Sequence, residues 1–176
     1  MLLGMTDAKP NTAHYVLEEM EEKGYIKGVI TQNIDNLHQR AGTKYLLEVH
    51  GNTREGSCTS CGNTVNLDII TEKVNNNEIP PKCDNCGGLL RPDVIFFGDM
   101  LPEAFSIAVE EMEDCDLLIV IGSSLAVAPV NYLPSLANKL MIINEGRTAM
   151  DYICDLKIEG KAGAVLEKIL DELDEE

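Results

Sequence analysis

A chain of 176 residues with 44% apolar side chains is long enough for one domain with its own core, and too apolar for a disordered segment. Its 30 acidic residues against 14 basic ones, a net charge of −16, argue against nucleic acid as the main partner, because phosphate binding needs clustered Lys and Arg. The longest strongly apolar stretch, LLIVIG at Leu117–Gly122, falls far short of the roughly 18 residues of a membrane span.

The opening MLLGMTDAKP lacks the basic-then-apolar order of a secretion signal, so a cytoplasmic protein with no membrane partner is expected. PNTAHYVLEEMEEKG then predicts a helix: Asn11 or Thr12 caps it, Ala13, Val16, Leu17 and Met20 form its stripe, and Gly24 ends it. A strand around Val29–Thr31 runs into the polar turn Gln32–Asp35 and a short helix through Leu37–Arg40. YLLEVHGN is a second short strand ending in a polar cluster. Residues 55–89, with four Cys, two adjacent prolines and NNNE, read as an inserted module.

After it, EAFSIAVEEMEDC is an amphipathic helix leading into the buried strand DLLIVIGSS. YLPSLAN is expected to be helical, LMIINEG and DLKIEG are strands, and AGAVLEKILDEL closes as a helix with Ala162, Val165, Leu166, Ile169 and Leu173 on one side. Alternating strands and helices, several strands apolar throughout, predict an α/β fold with a parallel sheet. Ligands of such sheets bind outside the carboxyl ends of the strands. The clusters Gln32–Asp35, His50–Asn52, Gly122–Ser124 and Asn144–Glu145 all fall there. The acidic excess reads as solvated helix faces and the tail LDELDEE; long-range attraction for basic peptides is the second reading.

Cys58-x-x-Cys61 is followed after 21 residues by Cys83-x-x-Cys86, a pattern for one tetrahedral zinc per chain with all four positions filled, hence structural. Two disulfides are the alternative, disfavoured where no secretion signal is seen. Cys115 and Cys154 are expected to pack as small apolar residues.

TQNID, LHQRAG, VHGN, the two Cys pairs, RPDVIFFGDMLP, IGSSLAVAP and INEGRTAMDY occur in an order that resembles the sirtuins, the NAD-dependent protein lysine deacylases. The resemblance runs from about Lys9 to the final helix. It implies a Rossmann-like NAD-binding domain, 1–54 with 90–176, and a zinc-ribbon-like module at 55–89. It implies transfer of an acyl group from protein lysine to ADP-ribose, with release of nicotinamide. His50 matches the general base, and imidazole suits that task because it changes charge near neutral pH. Asn33 and Gln32 match contacts to the ribose and a water, and Asp35 with the Ile34 backbone matches the grip on the nicotinamide carboxamide. Gly122, Ser123 and Ser124 match phosphate and ribose contacts. Asn144 and Glu145 match the adenosine ribose site, and Lys161–Ala162 the adenine site. Phe97, Gly98 and Asp99, with Leu125–Val127, match the segments between which an acyl-lysine peptide lies as an added strand. Ile95 and Phe97 match the acyl-lysine tunnel. His14 and His38 also match family positions and are expected to cap and pack.

Asn36, Ser123 and Asp99 depart from the commoner glycine, threonine and glutamate, and minor consequences are expected. The family's Gly-Ala-Gly-x-Ser loop and Pro-Asp-Phe-Arg segment do not occur in these 176 residues, so the sheet is expected to lack its first strand. The strands at Val29 and Leu118 are then expected to share no neighbour, which favours association of chains. Two alternatives follow: a zinc-stabilised binding module unable to turn over NAD, and an ADP-ribosyltransferase on the same scaffold.

Overall fold

The computed structural model describes residues 8–96 and 98–175. Asn11 starts the first helix, α1 (Thr12–Glu22), by accepting a hydrogen bond from the Ala13 N–H at 3.0 Å. Of the two candidate caps it is Asn11 that serves, and Val16, Leu17 and Met20 are buried as the stripe predicts. Strand β1 (Val29–Thr31), helix α2 (Leu37–Ala41) and strand β2 (Leu46–Glu48) follow, β1 and β2 pairing in parallel with Thr31 opposite Glu48.

The cysteine-bearing segment is built on a three-stranded antiparallel sheet of β3 (Gly51–Cys58), β4 (Thr64–Asn66) and, after helix α3 (Leu67–Asn75), β5 (Leu90–Val94), ordered β4-β3-β5. Its strands reach from Gly51 to Val94, past both ends of the compositional boundary at 55 and 89. Helix α4 (Glu103–Glu113) leads to β6 (Leu118–Ile121), β7 (Leu140–Ile143) and β8 (Leu156–Ile158), a parallel sheet in that order, and α5 (Ala162–Asp174) follows. The expected helix at YLPSLAN is a 3-10 turn over Val130–Ser135, with Pro134 inside it. Proline supplies no N–H to an α-helical ladder.

Two cores sandwich the strands. Val16, Leu17 and Met20 of α1 meet Leu166 and Leu170 of α5 on one face, together with Val29 of β1, Ile119 and Ile121 of β6, and Met141 and Ile143 of β7. On the other face Leu47 and Val49 pack with Ala108 and Met112 of α4, and Ile30 and Leu118 join them. Alternate residues of β1 and of β6 thus enter the same two cores, which places the two parallel sheets in one layer. Among the described residues β1 and β6 are not hydrogen-bonded to each other, and each is an edge of its own sheet. Every residue of β6 is partly exposed, whereas every residue of β7 is buried. In α5 the buried residues are Leu166 and Leu170; Val165, Ile169 and Leu173 lie partly exposed beside them. The expected stripe omitted Leu170 and included Ala162, because periodicity alone leaves the rotation of a helix uncertain by about one residue.

Candidate active site and metal centre

The turn after β1 is held open. Thr31 is buried, and its Oγ1 accepts from the Asn33 N–H at 3.1 Å, which bends the chain out of the strand. Asp35 Oδ1 accepts from the Leu37 N–H at 3.0 Å and starts α2. Between these points the side-chain amides of Gln32 and Asn33 make no hydrogen bond to any described residue, nor do the N–H groups of Ile34 and Asp35. Amides left over at a strand end suit a ligand of hydroxyls and a primary amide.

His50 enters the turn from the end of β2. Its Nδ1 lies 3.1 Å from the Gln32 carbonyl oxygen. A carbonyl only accepts, so Nδ1 carries a proton and donates here, and in the neutral ring the lone pair is then on Nε2. The His50 carbonyl in turn accepts from the Ile95 N–H at 3.0 Å. Gln32, His50 and Ile95, from three separate stretches of chain, are therefore joined directly, with Asn33 next in sequence. Beside them an open groove of about 620 Å³ is lined by Glu48, Gly51, Val94, Ile95, Asp99 and Met100.

Asp99 is already engaged. Its carboxylate accepts from the Phe96 N–H at 2.8 Å and from the Arg91 guanidinium. Arg91, and then the Phe96 N–H, hold the carboxyl below its usual range. Gly98 is exposed with φ 93°, and Phe97 lies outside the described residues. Of the second peptide segment, Val127 is 42% exposed but Leu125 only 4%, its side chain packed with Leu140 and Ile142. Leu125 can offer a peptide its backbone and not its side chain.

A second group forms at the ends of β6 and β7. The Gly122 N–H donates to the Ile143 carbonyl at 3.0 Å, and the Ala149 N–H to the Ser124 carbonyl at 2.9 Å. Ser123 Oγ accepts from the Leu125 N–H at 3.2 Å. Asn144 Nδ2 donates to the Gly146 carbonyl, Glu145 is exposed, and Lys161 with Ala162 begins α5. No hydrogen bond between described residues joins this group to the one around His50. A larger open groove, about 870 Å³, runs along α5 and of the candidate residues includes only Lys161.

His14 and His38 cap and pack. Their ring centroids are 4.6 Å apart, joining α1 to α2 just after the polar turn, and His14 Nδ1 lies 2.8 Å from Asn11 Oδ1.

The sulfurs of Cys58, Cys61, Cys83 and Cys86 all lie within 4.8 Å of one another, the one such cluster among the described residues. Cys58 and Cys86 are 3.5 Å apart at sulfur, Cys61 and Cys83 3.9 Å. Disulfides need about 2.05 Å, whereas a tetrahedron of thiolates at about 2.3 Å from zinc has edges of about 3.8 Å. The donor set fits zinc and leaves no open position. The Cys61 N–H, and then that of Ser60, draw the Cys58 thiol down to about 6. Cys86, in spite of the Gly88 N–H, is pushed up to about 12 by the neighbouring Cys61 and Cys58 sulfurs. Four thiolates cannot share this volume without a cation between them.

Thr53 bonds the Ile34 carbonyl, Arg54 the Asn36 side chain and Glu48 in turn Arg54, and none of the three has a role that the sequence motifs single out. The one hint is Asn36, a residue that tolerates the left-handed conformation it adopts here at φ 62°.

Residues 1–129 match the Sir2 family. The chain is 58% identical over 169 residues to NAD-dependent protein deacetylase 2 of Caldanaerobacter subterraneus subsp. tengcongensis, covering 96% of this chain and 68% of that protein. It is 45% identical over 172 residues to NAD-dependent protein deacylase 2 of Archaeoglobus fulgidus, covering 94% and 68%. A solved structure of Sir2 bound to an acetylated peptide superposes with a TM-score of 0.91 at 39% identity, over 98% of this chain and 74% of the other. Sir2 with a p53 peptide and NAD+ gives 0.90 at 39%, over 99% and 75%. Matched by the family over residues 1–129 and by a relative 58% identical across 96% of its length, the chain belongs to the Sir2 family, the sirtuins.

Proposed function

We propose that the chain carries out NAD-dependent removal of acyl groups, acetyl among them, from protein lysine, giving nicotinamide and O-acyl-ADP-ribose. The observation that carries this reading is the His50 ring, fixed through Nδ1 on the Gln32 carbonyl at 3.1 Å, with Nε2 and the side-chain amides of Gln32 and Asn33 bonded to no described residue. Bound NAD supplies an electrophilic ribose carbon with nicotinamide as leaving group. Ile34 and Asp35 offer N–H groups, and Asp35 a carboxylate oxygen, to the nicotinamide carboxamide. Gln32 and Asn33 orient the ribose, and His50 Nε2 accepts the proton of a ribose hydroxyl. Gly122, Ser123, Ser124, Asn144, Glu145, Lys161 and Ala162 take the remainder of the cofactor. Ile95 lines the acyl-lysine channel, and Gly98, Asp99 and the Leu125–Val127 backbone hold the peptide as a strand.

Residues 55–89 act as the structural zinc module of a Rossmann-like domain formed by 1–54 and 90–176. The charge of −16 supports a reading without a nucleic-acid partner and with basic, lysine-bearing peptides as substrates. No helix among the described residues is long and apolar enough to cross a membrane, and a cytoplasmic location fits this reading. The edges at β1 and β6, unpaired on one side among the described residues, favour an oligomer.

The test is nicotinamide release from NAD in the presence of an acetyl-lysine peptide, with peptide mass read in parallel. Release matched by loss of acetyl, and reduced about 10²–10⁴-fold in His50→Ala, is expected. Release matched by a gain of ADP-ribose on the peptide would assign a transferase instead. Full turnover in His50→Ala would sink the proposed base.

A further inference from the structure

The turn that offers the Ile34 and Asp35 N–H groups is braced from behind by a chain of four side chains. Asn36 stands in the left-handed region at φ 62°, ψ 15°, in the capping position of α2, yet its side chain makes no cap bond to that helix. It turns instead to β3. Asn36 Nδ2 donates to Thr53 Oγ1 at 2.8 Å, and Thr53 Oγ1 donates to the Ile34 carbonyl at 2.8 Å. Asn36 Oδ1 accepts from Arg54 Nη1 at 2.7 Å. Arg54 is itself gripped by both oxygens of Glu48, at 2.7 and 2.5 Å. Glu48 is the last residue of β2 and lies opposite Thr31, the last of β1. The Arg54 N–H donates to Asn52 Oδ1 at 2.8 Å, which fixes the start of β3.

The energetics of this arrangement point to placement of the turn. Any residue that tolerates positive φ satisfies the backbone at position 36, and glycine does so without strain. Asparagine adds one donor and one acceptor, and both are used. The Glu48–Arg54 pair is bidentate and mostly shielded, with side chains 14% and 32% exposed, so its geometry is far better defined than that of a surface pair. Five hydrogen bonds, the bidentate pair and three single ones, then run without a gap from the end of the sheet to the Ile34 carbonyl. The Ile34 carbonyl shares a rigid peptide plane with the Asp35 N–H, so holding the oxygen aims that N–H as well. The Asp35 N–H, which bonds to no described residue, is therefore set before any ligand arrives, and the Ile34 N–H one residue before it is confined with it, which reduces the ordering that binding must supply.

We propose that Asn36, Thr53, Arg54 and Glu48 are positioning residues for the nicotinamide carboxamide, holding the Ile34–Asp35 turn in its binding shape. The proposal rests on the pocket assignment given under Proposed function. Asn36→Gly is the informative variant because it keeps the backbone conformation and removes both side-chain bonds. Its KM for NAD and the nicotinamide concentration for half-inhibition should rise together, about five- to tenfold, the loss expected for one to two modest hydrogen bonds. KM for the acetyl-lysine peptide should stay within twofold, and the zinc content should stay at the wild-type value. Thr53→Val should repeat the effect and Thr53→Ser should restore wild-type behaviour. In 15N-labelled protein, nicotinamide should shift the Ile34 and Asp35 amide signals of the wild type at concentrations that leave Asn36→Gly unshifted. Wild-type NAD and nicotinamide constants in both Asn36→Gly and Thr53→Val would overturn the bracing role while leaving the pocket intact. Failure of nicotinamide to shift these amides in the wild type would overturn the pocket assignment and the proposal with it.

Discussion

Removal of the metal from the four-cysteine centre should unfold residues 55–89 and leave the parallel sheets standing. The apolar cluster of that segment contains only two fully buried aliphatic side chains, Ile70 and Leu90, at 5% and 6% exposure, besides Cys58 and Cys83 themselves. At about 1.5–3 kcal/mol each they contribute about 3–6 kcal/mol. A structural zinc supplies about 10–16 kcal/mol at neutral pH, so the ion dominates. The knuckles are closed by the N–H of Gly62 on the Cys58 carbonyl at 3.0 Å and of Gly87 on the Cys83 carbonyl at 2.8 Å. Hydrogen exchange with and without a chelator, with zinc release measured alongside, reads both quantities. One zinc per chain is expected. The Gly62 and Gly87 amides should lose protection on its removal, while those of β7 keep theirs. A zinc-free protein in which both glycine amides remain protected would refute the reasoning.

Three further outcomes are expected. Leu166 of α5 is fully buried in the core it shares with α1 and β7, so Leu166→Ala should lower unfolding free energy by about 2–5 kcal/mol, seen as a lower urea midpoint at unchanged slope. Gly51 has φ 77°, and a Cβ there would stand 1.9 Å from the Asp93 carbonyl oxygen. Gly51→Ala should therefore cost more than the ~1–2 kcal/mol of the left-handed conformation alone and part β3 from β5 next to His50; an unchanged Tm would show the contact to be avoidable. Burial lowers the pKa of both His14 and His38, with Asp35 opposing it at each site, Glu48 opposing it at His38, and His14 adding to it there. The folded state thus binds fewer protons than the unfolded one below the ordinary value of 6.5. Stability is full above about pH 6.5 and falls as pH drops from there toward the lowered values. Tm measured between pH 8 and 5 should show this decline, and His38→Phe should flatten it. At Asp151, held down to about 2 by Lys157 and then Thr148, the corresponding loss comes only as pH falls from about 3.8 toward 2.

Local chemistry made much of this molecule legible in the chain. The cap at Asn11, the apolar run of β7, and the spacing of Cys58, Cys61, Cys83 and Cys86 depend on neighbours within a few residues, and each took the form that its spacing predicts, whereas β6, expected to be buried, forms a sheet edge whose residues stay partly exposed. The polar clusters at Gln32–Asp35 and His50 were visible for the same reason. Other features depend on which distant segment arrives alongside. Only the packing of β6 against β7 decided that Leu125 turns inward, and only the rotation of α5 against α1 decided that Leu170 is buried. Glu48, Arg54 and Asn36 are ordinary polar residues in the chain. They become one brace because parallel pairing of β1 with β2 carries Glu48 to the end of the sheet, and β3 returns across the turn to bring Arg54 and Thr53 within hydrogen-bond reach of Asn36.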